Sequence, residues 1–283
     1  MNTRIIEARL KMYGVQAGIS ESQALREITQ ELILYALSTS DFFTSAAFQG
    51  GTCLRILHGI DRFSEDMDFI LKQANSNLTW QPWFSLISAT LEQYGYSVEV
   101  QDKSKAGEAV KKAFVKDDSI GKILHLAYPD KRGSSRPVKI KLEVDTNPPN
   151  GSEFETKYIG FPSVSSVTVE NLPTMLAGKS HALLCRKYEK GRDWYDFLWY
   201  MDRKIPVNYR RLSAALRQSG PWADKDILVD RTWYIDEMSQ RIANTDWKRS
   251  KEDITAFITQ EGQRGLDLWG QDLFLSALAR LPE

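Results

Sequence analysis

A chain of 283 residues, 42% hydrophobic and 26% charged, is long enough for one large domain or two modest ones, each with its own core. Its formal net charge of zero argues against coating of the whole surface by nucleic acid, and two cysteines, Cys53 and Cys185, are too few for a disulfide framework and lack the paired spacing of a zinc site. No window approaches the roughly 18 uninterrupted apolar residues of a membrane span, and the start, MNTRIIEARLKMYGVQ, carries charges where a secretory signal needs an apolar core; a cytoplasmic protein is expected.

In chain order, residues 20–40 open on a Ser20 cap and place Leu25, Ile28, Leu32, Tyr35 and Ala36 at the spacing of one helical face, which predicts an amphipathic helix. From Phe42 to Phe161 short β-rich runs (DFFTSAAF, DMDFIL, YSVEV, KILHLAY, VKIKLEV) surround one helical stretch, WFSLISATLEQYG, ending at Gly95. This pattern reads as α/β with a mixed sheet. The stretch NPPNGSEF reads as a turn, and after Leu172 the signal is helical to the end, with breaks at Pro206, near Gly220-Pro221 and between Gly262 and Gly270. Two domains are expected, 1–165 and 166–283. Residues 100–141 hold eleven Lys/Arg against five Asp/Glu, either a solvated face or a surface for a polyanion.

The chemistry concentrates in FQGGTCLRILHGIDRFSEDMDF, Phe48 to Phe69. Gly50 and Gly51 let a strand turn sharply into a short helix, Cys53 to His58, capped by Thr52 and stopped at Gly59; a helix start behind a glycine turn offers free N–H groups to a phosphate. In DMDFIL a strand points Asp66 and Asp68 to one side, about 7 Å apart, with Met67, Phe69 and Leu71 on the other. Two acids aimed at one spot call for a raised pKa or a bound cation, and hard oxygen donors suit Mg²⁺. A third acid comes from VKIKLEVD, where Glu143 and Asp145 share a face.

These residues resemble the DNA polymerase β type nucleotidyltransferases, and among them the AbiEii/AbiGii toxins, which include the MenT toxins. The resemblance is carried by Gly50-Gly51-Thr52-Cys53-Leu54-Arg55, by Arg62-Phe63-Ser64-Glu65-Asp66-Met67-Asp68-Phe69, and downstream by MLAGKSHALLCRKYEKGRDWYDF, which supplies Lys179, Arg192, Asp193 and Asp196. It spans about Phe48 to Phe197. What it implies is an α/β (α+β) polymerase β-like core followed by a helical region that completes the active site.

Asp66 and Asp68 would then bind Mg²⁺, or Mn²⁺ in its place, with Glu143 or Asp145 as third acid and base. Gly50, Gly51 and Thr52 would hold the phosphates of an NTP. Arg55, Arg62 and Ser64 would touch the substrate, and Lys179 would neutralise the triphosphate tail. Asp193 and Asp196, three apart on a helix, are expected site residues, with a plain salt-bridge network to Arg186, Lys187, Lys190 and Arg192 as the rival reading. His58, His125 and His181 show no ligand spacing and read as structural.

The biology implied is a toxin of an abortive-infection or toxin–antitoxin pair, moving NMP to the 3′ end of tRNA and restrained by an antitoxin. KRGSSRPVKIK, 131–141, is the expected RNA-docking stretch. The alternatives are a nucleotidyltransferase for small molecules such as antibiotics, and a nucleotide-binding regulator without turnover.

Overall fold

A computed structural model describes residues 3–14, 19–101, 119–129, 135–223 and 225–283. The chain divides into two compact units, the first comprising Met1–Gly59, Phe63–Pro148 and Phe154–Val169, the second Ile60–Arg62, Pro149–Glu153 and Glu170–Glu283.

The elements of the first unit are α1 (Thr3–Gly14), α2 (Glu21–Ser38), α3 (Phe42–Ser45), β1 (Ala46–Gln49), α4 (Gly50–His58), β2 (Asp66–Leu71), α5 (Gln81–Gln93), β3 (Ser97–Gln101), β4 (Ser119–Pro129), β5 (Ser135–Asp145), β6 (Phe154–Ile159) and β7 (Ser165–Glu170). The strands form one seven-stranded sheet in the order β3-β4-β5-β2-β1-β7-β6. β2 runs antiparallel to β1 and parallel to β5, and β1 runs parallel to β7, so the sheet is mixed as the sequence pattern predicts.

The run DFFTSAAF behaves differently from its expected strand: Phe42–Ser45 is a helical turn and only Ala46–Gln49 pairs in the sheet. Aromatic packing decides this. The Phe42 ring lies 5.0 Å from Phe69 and stacks on Trp80 at 5.6 Å, and Trp83 donates its indole N–H to Asp41 at 2.9 Å. Rings of this size bury most of their surface against one another and fix the ends of β1 and β2.

Helix α2 begins as expected, with Ser20 and Gln23 forming a reciprocal capping box. It is not a one-faced helix, however. Beyond Leu25, Ile28, Leu32 and Ala36 it also buries Glu27, Gln30, Glu31, Ile33 and Leu34. Its acids are compensated inside the unit, Glu27 by Arg55 at 2.8 Å and Glu31 by Arg9 at 2.7 Å. Buried charges persist only when paired, so a helix whose sequence looks half polar is able to run through the core.

The second unit is helical: α6 (Leu172–Cys185), α7 (Gly191–Asp202), α8 (Tyr209–Gln218), α9 (Arg231–Ala243), α10 (Trp247–Thr255), α11 (Gln260–Gln263), a 3₁₀ turn (Arg264–Leu268) and α12 (Gln271–Leu278). Its core is aromatic, with Trp247 stacked on Phe274 at 4.2 Å and Trp194 set edge-on to Phe274 at 5.3 Å. Helices α7 and α10 meet at Gly191, where a Cβ would lie 1.9 Å from the Ser250 carbonyl oxygen. No helix of the described residues is long and apolar enough to cross a membrane.

Candidate active site

The glycine turn and the acid strand lie side by side in the first unit. Gln49 of β1 stands opposite Asp68 of β2, so α4 starts directly beside the second aspartate. Gly50 has a φ of +78°, and a Cβ there would sit 2.6 Å from Asp68 Oδ2. Only glycine both adopts that backbone conformation readily and leaves room for the carboxylate.

Helix α4 begins at Gly50, with Gln49 as its cap, so Thr52 lies inside the first turn rather than capping it. Its fully buried hydroxyl donates to the Asp66 carbonyl oxygen. The side chain expected to meet phosphate therefore ties the start of α4 to the start of β2. The end at Gly59, in the left-handed conformation, is where the sequence puts it.

Along β2, Met67 and Phe69 are buried while Asp66 and Asp68 are partly open, the expected alternation. Across the parallel ladder Asp66 stands opposite Lys141, Asp68 opposite Glu143 and Ile70 opposite Asp145. Neighbouring strands are about 4.8 Å apart, so Glu143 is in register with the second aspartate while Asp145 lies one step further along. Asp145 is also buried, and its Oδ1 accepts the Asn147 N–H at 3.1 Å. Of the two acids left open by the sequence, Glu143 has the better geometry.

Lys141, expected only as the last residue of the RNA-docking stretch 131–141, stands on the acid face, a place sequence reasoning missed. Its Nζ donates to Glu143 Oε2, and its ammonium is attracted by Glu143, Asp66 and Asp68 together. Burial alone would lower the lysine pKa, but the three carboxylates raise it above the usual lysine value. The available signal was the alternation of VKIKLEV, which carries Lys141 to the same face as Glu143. Gln30 was missed too: fully buried on α2, it donates from Nε2 to the carbonyl oxygens of Ser64 and Glu65, each at 3.1 Å, and so fixes the loop that feeds β2.

Among the described residues no group of three His, Cys, Asp or Glu side chains is placed to hold a metal ion. The expected three-carboxylate set of Asp66, Asp68 and Glu143 is thus not drawn together as a metal cage, whereas Mg²⁺ itself needs only one or two protein carboxylates and completes its shell with water and substrate phosphates. Asp66 and Asp68 supply such a pair, and a cation, the Lys141 ammonium, is already drawn to them. The donor set fits a hard divalent ion.

The remaining expected site residues have identifiable partners. Arg55 pairs with Glu27 at 2.8 Å and lies over the Phe63 ring at 5.1 Å. Ser64, half-buried, accepts from Gln30 through its carbonyl oxygen. Arg62 belongs to the second unit, where its guanidinium is 3% exposed and grips Asp196 through two bonds of 2.5 and 2.7 Å.

Lys179 lies 2.7 Å from Asp193 and 2.8 Å from Asp196, and Arg186 also pairs with Asp193. The two aspartates do share a face of α7, and that face is a salt-bridge network. Burial alone would raise the Asp193 carboxyl, but Lys179, Arg186 and Lys190 hold it down to about 2. Desolvation, helped by the neighbouring cations, pushes Lys190 down to about 8.

His58 is pushed down to about 4 by burial and by Lys157, and His181 Nε2 lies 3.2 Å from the Ser219 carbonyl oxygen. Both have structural surroundings. The basic run from 131 to 134 lies outside the described residues, as do most of the charges counted between 100 and 141.

A mixed sheet whose Asp-x-Asp strand is flanked by a glycine helix turn on one side and an in-register glutamate on the other has the architecture of a nucleotidyltransferase. The chain belongs to the AbiEii nucleotidyltransferase toxin family: the model for the nucleotidyl transferase AbiEii toxin of type IV toxin–antitoxin systems matches residues 32–274. Among solved structures it is similar to a candidate nucleotidyltransferase from H. pylori, at 15% identity and a TM-score of 0.48, covering 94% of this chain and 100% of the other. It is also similar to JHP933 from Helicobacter pylori, at 15% identity and a TM-score of 0.45, covering 93% of this chain and 89% of the other. No curated protein matches the sequence.

Proposed function

We propose that the chain is a Mg²⁺-dependent toxin that transfers a nucleoside monophosphate from an NTP to the 3′ end of tRNA, blocking translation until a cognate antitoxin relieves it. The observation that carries the catalytic part is the seating of Gly50 against Asp68, which joins a phosphate-binding helix start to a metal-binding strand. In this reading Asp66 and Asp68 donate carboxylate oxygens to the ion. The N–H groups of Gly50, Gly51 and Thr52 meet phosphate oxygens, since the first N–H groups of a helix have no partner within it. The Thr52 hydroxyl keeps the two elements together.

In the transfer, the acceptor 3′ oxygen forms a bond to the α-phosphorus as the bond to the β-phosphate oxygen breaks, releasing pyrophosphate; the hydroxyl proton passes to the Glu143 carboxylate. When bound, Mg²⁺ supplies charge neutralisation at the phosphoryl oxygens and the leaving pyrophosphate. A part for Lys179 in neutralising the triphosphate belongs to the same proposal, and an elevated KM for NTP in Lys179→Arg is its mark. The RNA acceptor is supported by the resemblance of the motifs to the toxin branch and by the local basic excess.

The test is incubation with total RNA and each of four labelled NTPs. Label in the tRNA band, absent when the 3′ ends have first been oxidised with periodate, is the expected result. Label in an added aminoglycoside with none in RNA supports the small-molecule alternative, and NTP binding without turnover supports the regulator.

A further inference from the structure

The acid face of β2 and β5 holds a built-in positive charge. Lys141 stands opposite Asp66 across the ladder and two residues before Glu143 on its own strand, so its side chain emerges on the face that carries Asp66, Asp68 and Glu143. It bonds to Glu143 and is attracted by both aspartates. Asp66, Asp68 and Glu143 lie on this one face, with Asp68 directly opposite Glu143, so their like charges repel one another and Lys141 offsets that repulsion. Its side chain is also 40% exposed, so the long stem has water to swing into.

From this geometry we infer that Lys141 is a positioning residue that serves as an internal counterion for the acid cluster and gives way when a divalent ion arrives. The inference rests on the proposed metal-binding role of Asp66 and Asp68. Its consequence is competition: a lysine ammonium and a divalent ion repel each other within a few ångströms, so each lowers the occupancy of the other. Departure of the ammonium also frees the Glu143 carboxylate, the proposed proton acceptor, from a partner that would otherwise hold it. A lysine that braced β5 only by packing would leave metal affinity unchanged on substitution.

The experiment uses Mn²⁺ alone as the probe, with binding followed by electron paramagnetic resonance on the full chain, in wild type, Lys141→Met, Lys141→Arg and Asp68→Asn. Expected is tighter Mn²⁺ binding in Lys141→Met by about tenfold, the size set by removing one unit charge a few ångströms from the ion in a solvent-exposed site. Lys141→Arg, which keeps the charge, should bind as wild type does. A second readout is thermal unfolding without metal: Lys141→Met should melt several degrees lower, and saturating Mn²⁺ should restore it.

Equal affinity for Mn²⁺ in wild type and Lys141→Met, with binding lost in Asp68→Asn, overturns the counterion role and leaves the metal site standing. Equal binding in wild type and Asp68→Asn overturns the metal site itself, and the counterion role with it.

Discussion

Replacing Gly50 by alanine tests the join between the glycine turn and the acid strand, and Gly59 supplies an internal control. Both glycines have left-handed backbones, φ +78° and +71°, so alanine at either position carries a conformational cost of about 1–2 kcal/mol. They differ in what the new methyl meets. At Gly59 nothing lies within 4 Å, whereas at Gly50 the Cβ would be 2.6 Å from Asp68 Oδ2 and 3.1 Å from Asp68 Cβ.

Relief requires Asp68 to turn off its rotamer, which adds about 0.5–1.5 kcal/mol. Gly50→Ala should therefore lose about 1.5–3.5 kcal/mol in urea unfolding and Gly59→Ala about 1–2 kcal/mol. A misplacement of about 1 Å in a catalytic group is enough to cost on the order of 10²-fold in rate. Pyrophosphate release under Mg²⁺ should accordingly fall about a hundredfold in Gly50→Ala and stay near wild type in Gly59→Ala. Two variants with the same stability loss and the same rate would refute the reasoning.

The second unit yields three further expectations. Arg62→Met removes the bidentate partner of the fully buried Asp196, and breaking a buried pair should lower stability by about 3–5 kcal/mol in urea unfolding; a loss below about 1 kcal/mol would show that Lys179 compensates alone. Gly191→Ala forces a methyl to within 1.9 Å of the Ser250 carbonyl oxygen, so α7 and α10 must part, at roughly 3 kcal/mol; an unchanged urea midpoint would contradict the close approach. The Asp193 carboxyl, held at about 2, is depressed below its unfolded value, so the unfolded chain takes up the proton first as pH falls. Its contribution, about 2 kcal/mol, is present above pH ~5 and is lost as pH falls through ~4 toward ~2; Asp193→Asn should flatten that part of the stability profile, and an unchanged profile would count against the network.

The sequence made the local chemistry legible wherever a short period governs structure. DMDFIL announces its strand and its two faces by simple alternation, and Gly59 announces the end of α4. What escaped depended on partners far along the chain. Asp196 grips Arg62 across 134 residues, so the motif arginine read as a substrate contact has a carboxylate of the same unit around it. Helix α2 looked amphipathic because Glu27 and Glu31 count as surface residues until Arg55 and Arg9 are seen beside them. Phe42 and Phe43 have strand-like composition, yet packing against Phe69, Trp80 and Trp83 turns them into a helical corner. Strands β6 and β7 were not among the predicted β-rich runs, because FETKYI and SSVTVE mix charged or hydroxyl residues with few apolar ones. Lys141 was visible in the alternation of β5 but carries the opposite charge to the acids being sought.

The central claim, that Asp66 and Asp68 gather a divalent ion for transfer from an NTP, is met most directly by pyrophosphate release. Wild type should release pyrophosphate from an NTP in the presence of Mg²⁺ and acceptor RNA and stop when EDTA is added, while Asp66→Asn and Asp68→Asn, with wild-type circular dichroism, should be inactive. Undiminished release by either folded variant would contradict the account.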